Sequence, residues 1–556
     1  MAKENKGQKI IQSEWQKYSD FLQTYSFIYR IENNKVYIKE NGFENEYELY
    51  TVQTINDLLE KEDNELVEIN KGFILFNDDT LKINADKEIL FRFCVVVGKI
   101  SDSIFTNVSF FKSKIDAHFE LCTFNDLKNN SIAQSLSISE STIVNLSFSY
   151  CDFVNIVNIA NCKKASNISF NNCSNTKGVS DDKRENTNKI YILDSNIQHF
   201  SLNTYPTKPK SNLYELEVYS SNIENITIQN TEIELVNFTG CEIGIFICRG
   251  SISSLDFISS KLYNSIITTL PENIFKNPHI IKQIRINECE IYYPLRIEQF
   301  KGEVLDLANN SFNEDLTISF DKIESDKKIS KKIKDRVLIL NHSRLYKITR
   351  IDTTEVDKLF FLKSYLIGVL LLQPQSFTFL KDKLNHYGYV KNNDKKKILE
   401  NKKEQYLLFC DSYKKNGDFI NEDIAWVEYM RVTSKLSKWY KKPIFSILDY
   451  IGRFGTKPGR IASNILFLWM LSGLLYLVFD KICFGIINAK GLMFNQEVIS
   501  FFDYWYFSII TFLTIGYGDI APSHWLAKLL SGFEGFLGVF LIAYLTVSVF
   551  KKFSRN

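Results

Sequence analysis

The sequence predicts a multidomain membrane protein with an N-terminal β-helix, an α-helical hairpin and an all-α domain containing two membrane spans. Three observations predict this fold class. Apolar residues recur every five positions from about Phe105 to Leu345, helical spacing follows from about Leu399 to Trp439, and two long apolar runs lie in the last hundred residues. The whole-chain average hides this division, because a mean hydropathy of −0.14 over 556 residues combines a polar part with a membrane part.

Composition excludes several classes of protein. The net charge of +2 gives no general argument for nucleic-acid binding, and a chain with 24% charged and 45% hydrophobic residues is not disordered. The ten cysteines contain no CxxC and the six histidines form no HxH or HExxH pair, so we predict free thiols and no zinc site. The polar start lacks the apolar core of a secretory signal, and we expect residues 1–88 to form a cytoplasmic segment.

The five-residue period is clearest between Leu216 and Leu262. A period of five fits neither a helix, with 3.6 residues per turn, nor a strand, which alternates every two. It fits a chain that turns a corner every few residues and points one apolar residue and its i−2 partner inward on each side. The sequence therefore predicts a β-solenoid whose turns stack about 4.8 Å apart. The predicted inward positions are Val218, Ile223, Ile228, Ile233, Phe238, Ile243, Cys248, then Ile252 after a one-residue slip, Phe257 and Leu262.

This pattern resembles the pentapeptide-repeat family, which implies a right-handed, four-sided β-helix with about four repeats per turn. We assign it to residues 89–358. The run Leu359–Gln373 is too short to span a bilayer and contains Lys363, so residues 359–395 are predicted to be a solenoid cap or transition. Polar loops are expected near Lys177–Asn188, Thr204–Ser211 and Ser325–Lys334.

The alternative fold is the β-helix of polysaccharide lyases, which are enzymes with a cleft of acidic and basic catalytic residues. The chain has no obvious carboxylate cluster and no export signal. We therefore expect a scaffold or sensor with no enzyme activity and no catalytic residues.

A helical hairpin is predicted for residues 396–442, followed by a membrane-proximal neck over 443–460. Asn416-Gly417-Asp418 marks the turn, and Asn421 is the predicted cap of the second helix. Packing alone and mechanical linkage remain alternative roles for the hairpin. Lys395-Lys396-Lys397 is read as a solvated face, with a lipid-headgroup contact as the alternative. The apolar helical positions are Leu399, Tyr406, Cys410 and Tyr413, then Ala425, Tyr429, Val432, Leu436 and Trp439.

Two spans are predicted in the C-terminal part. Residues 461–479 carry no charge and would extend about 28 Å as a helix, close to the thickness of a hydrocarbon core. The second span, 527–550, contains one acidic residue, Glu534. Basic residues precede the first span and follow the second, so both ends should be cytoplasmic in a multi-pass protein of the inner or plasma membrane. These basic residues are Arg453, Lys457 and Arg460, then Lys551, Lys552 and Arg555.

Between the spans, residues 501–512 form an aromatic-rich run that predicts a short re-entrant helix. Thr514–Asp519 follows it and reads Thr-Ile-Gly-Tyr-Gly-Asp. This motif resembles the selectivity filter of the two-transmembrane potassium channel family, usually TVGYGD, with Ile in place of Val. The resemblance covers about Arg460–Asn556, and it implies that residues 461–556 form one quarter of a tetrameric potassium-selective pore.

The filter chemistry also follows from the residues. A K⁺ ion must exchange hydration oxygens for protein oxygens, which successive backbone carbonyls and the Thr514 hydroxyl would supply. Gly516 and Gly518 allow the positive φ angles that aim consecutive carbonyls at one axis. One chain supplies one strand per ring, so a homotetramer is expected, with K⁺ as permeant ligand and no cofactor. The predicted K⁺-coordinating residues are Thr514, Ile515, Gly516 and Tyr517.

Further residues are predicted to support the filter or form a gate. We expect Asp519 to attract cations at the mouth and, by the resemblance, to bond Tyr506 or Trp505. Glu534 should face protein, as a structural anchor in preference to an ion ligand. Gly538 is either a hinge or a packing glycine. The predicted pore-helix supports are Trp505, Tyr506, Phe507 and Thr511, and the predicted gate residues below Gly538 are Ile542, Thr546 and Phe550.

The sequence thus predicts a K⁺ channel regulated by a cytoplasmic β-helix that binds an unknown ligand or protein partner. No span carries an arginine at every third position, so no voltage sensor is expected. The alternative is that the solenoid is primarily a protein-binding scaffold or sensor, with the pore as a membrane anchor or regulated leak.

Overall fold

The computed structural model describes residues 28–480 and 500–555, apart from gaps at 33–34, 41–42, 63, 77–82, 126–133, 155, 177–188, 204–211, 269–282, 301, 321–335, 353–355, 357 and 373–394. The three predicted polar loops lie outside the described residues. The chain divides into two compact units, Met1–Lys381 and Asp382–Asn556, which are described separately.

The first unit contains 34 described strands joined in one ladder and a single described helix, α1 (Val52–Lys61). β1 and β3 pair with β2 in antiparallel fashion, and β3 then pairs with β5 in parallel. The later described pairs are all parallel. The strands are β1 (Ile28–Glu32), β2 (Lys35–Glu40), β3 (Phe43–Thr51), β4 (Leu66–Asn70), β5 (Gly72–Phe76), β6 (Asn84–Arg92), β7 (Val95–Ser101), β8 (Ile104–Phe111), β9 (Lys114–Glu120), β10 (Thr123–Asn125), β11 (Gln134–Ser139), β12 (Thr142–Ser149), β13 (Asp152–Val154), β14 (Ile156–Ala160), β15 (Lys164–Asn171), β16 (Ser174–Thr176), β17 (Lys189–Leu193), β18 (Asn196–Asn203), β19 (Asn212–Tyr219), β20 (Asn222–Thr239), β21 (Glu242–Ile258), β22 (Lys261–Thr268), β23 (Gln283–Asn287), β24 (Glu290–Ile291), β25 (Leu295–Phe300), β26 (Val304–Asp306), β27 (Ser311–Phe312), β28 (Leu316–Phe320), β29 (Val337–Ile339), β30 (Arg344–Leu345), β31 (Thr349–Ile351), β32 (Lys358–Phe360), β33 (Tyr365–Leu366) and β34 (Leu370–Leu372).

The register of the parallel strands gives the length of one turn. Asn222 pairs with Glu242, twenty residues later, which corresponds to four five-residue sides. Glu242 then pairs with Lys261, one residue short of twenty, where the sequence shows its one-residue slip. Side chains therefore stack on their equivalents in the next turn, as in the ring pairs Phe119–Phe148 and Phe148–Phe170, with centroids 5.2 and 5.0 Å apart. The mostly parallel strands are consistent with the predicted β-helix; its handedness stays a prediction.

The parallel ladder extends beyond the predicted range of 89–358. β4 already pairs with β6 at Leu66, and β34 at Leu370–Leu372 pairs with β31. Most of the run Leu359–Gln373, predicted as a cap or transition, therefore continues the ladder as β32–β34. Its apolar residues do not span a membrane because they are used in the solenoid core, where Leu359 and Leu370 are buried.

The corners of the solenoid share one construction: a residue with positive φ is followed by a small buried residue. Ser220, with φ 48°, precedes Ser221, and Ser259, with φ 49°, precedes Ser260. The Ser260 hydroxyl accepts from the N–H of Cys241 at 3.1 Å in the neighbouring turn. The nine described cysteines form no disulfide and are all buried, as predicted for small core residues. Burial raises the pKa of the Cys94, Cys162, Cys241 and Cys289 thiols to about 11.

The second unit is helical in its described part. α2 (Lys395–Lys415) and α3 (Phe419–Leu436) form the hairpin, and a 3₁₀ turn, Trp439–Lys441, leads into α4 (Lys442–Gly452). Three more helices follow: α5 (Pro458–Val478), α6 (Asp503–Phe512) and α7 (Trp525–Phe553).

Two details of the hairpin differ from the sequence prediction. Asp418, not Asn421, caps α3, because its carboxylate accepts from the N–H of Asn421 at 3.2 Å and leaves Asn421 inside the first turn. α3 ends at Leu436, so Trp439 is not a packed helical position and is 82% exposed.

α5 and α7 are long and apolar enough to cross a membrane, and most of their residues are uncovered in the single chain. The shorter α6 packs against both. Buried residues from all three helices and from the segment before α7 form their shared core; these residues are Tyr476, Tyr504, Phe507, Ile520 and Ala527.

Candidate ion-conduction site

The TIGYGD segment begins where α6 ends, and its first N–H groups turn back to that helix. The Leu513 N–H donates to the Ile509 carbonyl at 2.9 Å, and the Ile515 N–H to the Ile510 carbonyl at 2.8 Å. By contrast, the four carbonyl oxygens of residues 514–517 accept no hydrogen bond from the described part of the chain. The end of α6 thus fixes the segment through its donors and leaves four consecutive acceptors free.

The backbone of this segment adopts the left-handed conformation at every second residue. Thr514, Gly516 and Gly518 have φ angles of 54°, 57° and 81°, whereas Ile515 and Tyr517 are not in the left-handed region. The positive φ values that the sequence predicted for Gly516 and Gly518 are confirmed. Nothing lies within 4 Å of the place where a side chain would start at either glycine, so their requirement for glycine is one of backbone conformation.

The segment is bare in the single chain. Residues 513–519 are all exposed, and Leu513, Ile515 and Tyr517 expose 44%, 47% and 70% of their surface. The predicted pore-helix supports include three aromatic residues against which the Tyr517 ring could pack, Trp505, Tyr506 and Phe507. Within one chain it makes no ring contact with them; Phe507 packs against Tyr476, with ring centroids 5.1 Å apart, and Trp505 against Phe501, at 4.6 Å.

The outer end of the segment is attached to α6 by Asp519. A side-chain hydrogen bond joins it to the Tyr506 hydroxyl, one of the two partners that the resemblance implied. A second phenol of the same helix, Tyr504, donates to the buried carboxylate of Asp480 at 2.6 Å. Sequence reasoning missed Asp480, which directly follows the predicted first span and therefore offered a signal.

Glu534 lies in α7 with 4% of its surface exposed and connects three helices. Its carboxylate accepts from the Tyr476 hydroxyl of α5 at 2.8 Å and from the Ser508 hydroxyl of α6 at 2.5 Å. The Trp469 carbonyl oxygen lies 3.2 Å from the same hydroxyl, as a second acceptor for its single proton. Sequence reasoning missed Tyr476 and Ser508, although a carboxylate at membrane depth requires donors and these hydroxyls were among the few available.

Gly538 lies at the closest approach of α7 to α6. A Cβ at this position would lie 2.0 Å from the Phe512 carbonyl oxygen, directly before the filter segment. Gly535, one turn earlier, is near the carbonyl of Thr511, the predicted pore-helix support, with its Cβ position 3.6 Å from the oxygen. Of the two interpretations of Gly538, close packing therefore has a physical basis in the structure; a hinge stays a prediction.

The predicted gate residues occupy the second half of α7. Phe550 is 72% exposed in the single chain, and Ile542 is partly buried. Thr546 is exposed, and its hydroxyl donates to the Ile542 carbonyl at 2.9 Å. A gate function of these residues stays a prediction.

The end of α7 and the residues that follow it contact the hairpin and the turn before α5. Arg555 donates to Glu422 and Asp423 of α3, at 2.7 Å in each case, and Lys551 lies 5.2 Å from the centre of the Trp426 ring. The Ser548 hydroxyl donates to the Gly455 carbonyl at 2.6 Å. Basic residues that the sequence assigned to membrane orientation thus also bind the hairpin to the end of the second span.

Comparison with known proteins bears on this part of the chain alone. A family model described as "Ion channel" matches residues 464–555. No curated protein and no solved structure matches the chain. The matched residues contain most of α5 and all of α6, the TIGYGD segment and α7, including two helices able to cross a membrane. The C-terminal part is therefore similar to ion channels, and this similarity supports an ion channel located in a membrane.

Proposed function

We propose that the chain is one subunit of a homotetrameric, K⁺-selective channel of the cytoplasmic membrane. The observation that carries the proposal is the row of free carbonyls at Thr514, Ile515, Gly516 and Tyr517, on a backbone that alternates in hand. Carbonyl oxygens in successive rings can replace the hydration shell of K⁺. The C-terminal end of α6 points its partial negative charge toward the start of this row, which favours a cation there.

The tetramer is supported by what a single chain leaves uncovered. One chain supplies one oxygen per ring, and a K⁺ ion requires several. Leu513, Ile515 and Tyr517 are apolar or aromatic and exposed, so burial against neighbouring copies would remove them from water. Four copies around one axis meet both requirements.

Regulation by the β-helix is the second part of the proposal. The hairpin follows the solenoid in sequence, and α3 is bound to the end of α7 through Arg555. A movement of the hairpin would therefore act on the helix that carries Ile542, Thr546 and Phe550. The basic clusters at both ends of the membrane part favour cytoplasmic placement of the hairpin.

The proposal is tested by ion flux into liposomes that contain the full-length protein. We expect K⁺ flux without comparable Na⁺ flux, and its loss in Gly516→Ala and Gly518→Ala, because an L-residue is strained at a φ of 57° or 81°. Gly532→Ala is the matched control, since this exposed glycine of α7 has open space around it. Equal passage of Na⁺ and K⁺ by the wild type, or wild-type flux in either filter variant, would refute K⁺ selectivity by this segment.

A further inference from the structure

A cavity of about 800 Å³ lies in the second unit, between the start of α3, the turn that leads into α5, and the end of α7. This volume is typical of a small-molecule site. Six basic side chains and three carboxylates line it. The basic residues are Arg431, Arg453, Lys457, Arg460, Lys552 and Arg555.

The three carboxylates of the cavity already have partners within the protein. Asp423 binds Arg555 at 2.7 Å, and Glu428 binds Arg431 at 2.8 Å. Asp418 accepts the hydrogen bonds that cap α3. Two of the acidic residues are thus paired with Arg555 and Arg431, and the third accepts from the backbone at the start of α3.

The other four cations have no carboxylate within ion-pairing distance among the described residues. These cations are Arg453, Lys457, Arg460 and Lys552. The Nε of Arg453 is buried without any hydrogen-bond acceptor in the described structure. A buried donor of this kind normally has a partner, so its orphan state points to an acceptor that the protein itself does not supply.

The start of α5 adds a backbone donor to the same cavity. Pro458 and Gly459 open the helix, and no side chain caps it. Pro458 has no N–H, and the Arg460 N–H donates to the Lys457 carbonyl at 3.1 Å, which leaves the Gly459 N–H without a partner among the described residues. The helix dipole favours an anion at this position. Gly459 has open space beside its Cα, so a ligand can approach the backbone. The Gly459 N–H, together with guanidinium and ammonium groups that have no carboxylate partner, matches the oxygens of a phosphate.

We propose that this cavity binds a phosphate-bearing anion, and that its occupancy regulates the pore. The regulatory part rests on the proposed channel function. A ligand here would contact α3, the first turn of α5 and the end of α7 at once, so it would stabilise one arrangement of the hairpin relative to both spans. The phosphate could belong to the headgroup of an anionic phospholipid or to a soluble compound, because both present the same oxygens.

Binding is tested on the full-length protein in neutral detergent with three probes. Pyrophosphate and dioctanoyl phosphatidic acid are the anionic probes, and dioctanoyl phosphatidylcholine, which has no net charge, is the control. Tighter binding of pyrophosphate indicates a soluble ligand, and tighter binding of phosphatidic acid indicates a lipid; either supports the site. If neither anionic probe binds more tightly than phosphatidylcholine, the site is refuted.

Variants assign the binding to the cavity. The double variant Arg453→Gln/Lys457→Gln should weaken binding about tenfold or more, because charge-assisted bonds are lost. The matched double variant Lys441→Gln/Lys442→Gln removes two exposed charges that do not line the cavity, and should change affinity less than twofold, roughly the neutral range for such groups. Lys457→Arg keeps the charge and should retain binding. Wild-type affinity in Arg453→Gln/Lys457→Gln would refute the site.

Regulation is tested by K⁺ flux in phosphatidylcholine liposomes with and without phosphatidic acid, or with pyrophosphate on either side. We expect the anion that binds to change the flux of the wild type and not that of Arg453→Gln/Lys457→Gln. Anion binding in a protein that passes no K⁺ would refute the channel and leave the binding site standing. If the wild type passes K⁺ normally and its flux does not change when the anion binds, only the proposed regulation of the pore is refuted.

Discussion

Because Gly538 has no side chain, α7 can pack closely against the end of α6, just before the filter. A Cβ there would lie 2.0 Å from the Phe512 carbonyl oxygen, which is backbone and has little freedom to move. We expect Gly538→Ala to destabilise the folded protein by about 1–3 kcal/mol or more, the usual range for overpacking. Thermal unfolding in detergent measures this change.

Gly532 provides the control for that prediction within the same helix. Nothing lies within 4 Å of its Cβ position, so Gly532→Ala should leave the unfolding temperature unchanged or raise it slightly, as alanine favours helix. If Gly538→Ala unfolds at the same temperature as Gly532→Ala, the close contact between α7 and α6 is wrong.

Glu534 is the residue that connects α5, α6 and α7. Glu534→Ala removes the buried acceptor of the Tyr476 hydroxyl, at a cost of about 1–3 kcal/mol, and leaves the Ser508 hydroxyl with the Trp469 carbonyl as its acceptor. We expect a lower unfolding temperature and reduced discrimination between K⁺ and Na⁺, since Ser508 belongs to the helix that holds the filter. Ser531→Ala, at a partly buried site one turn away whose hydroxyl donates to the Lys528 carbonyl of the same helix, should change neither property. Unchanged stability of Glu534→Ala would contradict the anchor role.

Corners are the repeating element of the solenoid, and small residues close them. Ser260 is 1% exposed and links two turns by accepting from the Cys241 N–H. Ser260→Leu should therefore lower stability by about 1–3 kcal/mol through overpacking and the loss of that bond. Its neighbour Ser259 is exposed with φ 49°, a conformation that Leu121 adopts at another corner, so Ser259→Leu should cost much less. Similar urea midpoints for the two variants would contradict this account of the corners.

At the level of elements, the repeating core of the solenoid was predicted from the sequence, whereas the cap of α3 and the end of the ladder were not. The predicted inward positions from Val218 to Leu262 are all buried, and the slip before Ile252 corresponds to the short turn between Glu242 and Lys261. A periodic core is visible in sequence because the same burial is selected in every turn. Asp418 and Asn421 are both residue types that cap helices, so the choice between them depends on where the backbone enters the helix. The continuation of the ladder to Leu372 was missed although Val356, Phe361 and Leu366 recur at five-residue steps and are buried, because the apolar run was judged against the length of a membrane span.

In the candidate site, the consecutive residues were predicted and the partners that are distant in sequence were missed. TIGYGD was recognisable because its chemistry lies in consecutive backbone groups, which a short motif specifies completely. The partners of Glu534 were not recognisable, because Tyr476 and Ser508 lie 58 and 26 residues away and meet it only through helix packing. Arg555 was assigned to membrane orientation alone, because its pairing with Glu422 and Asp423 requires the hairpin to lie against α7.

For the whole molecule, the Arg555 contacts are the ion-paired link between the hairpin and the end of the second span among the described residues. Arg555 is 13% exposed, so its pairing with Glu422 and Asp423 is better shielded from water than a surface ion pair. We expect Arg555→Gln to change the open probability in single-channel recordings while K⁺ selectivity stays the same. Lys528→Gln, an exposed cation at the other end of α7, should change neither. An open probability equal to that of the wild type would show that the hairpin does not act through this contact.

In a tetramer, one defective filter strand should disable the whole ring of four. Wild-type and Gly518→Ala subunits mixed in equal amounts should assemble at random, and only about one tetramer in sixteen would contain four intact filters. Flux per unit of total protein should then fall to about one sixteenth of the wild-type value, far below one half. Separately purified populations, combined only in the liposomes, provide the control and should give one half. A flux of one half after co-assembly as well, in a pool where a tag on one subunit copurifies the other, would show that each chain conducts alone, and the proposed tetrameric pore would be wrong.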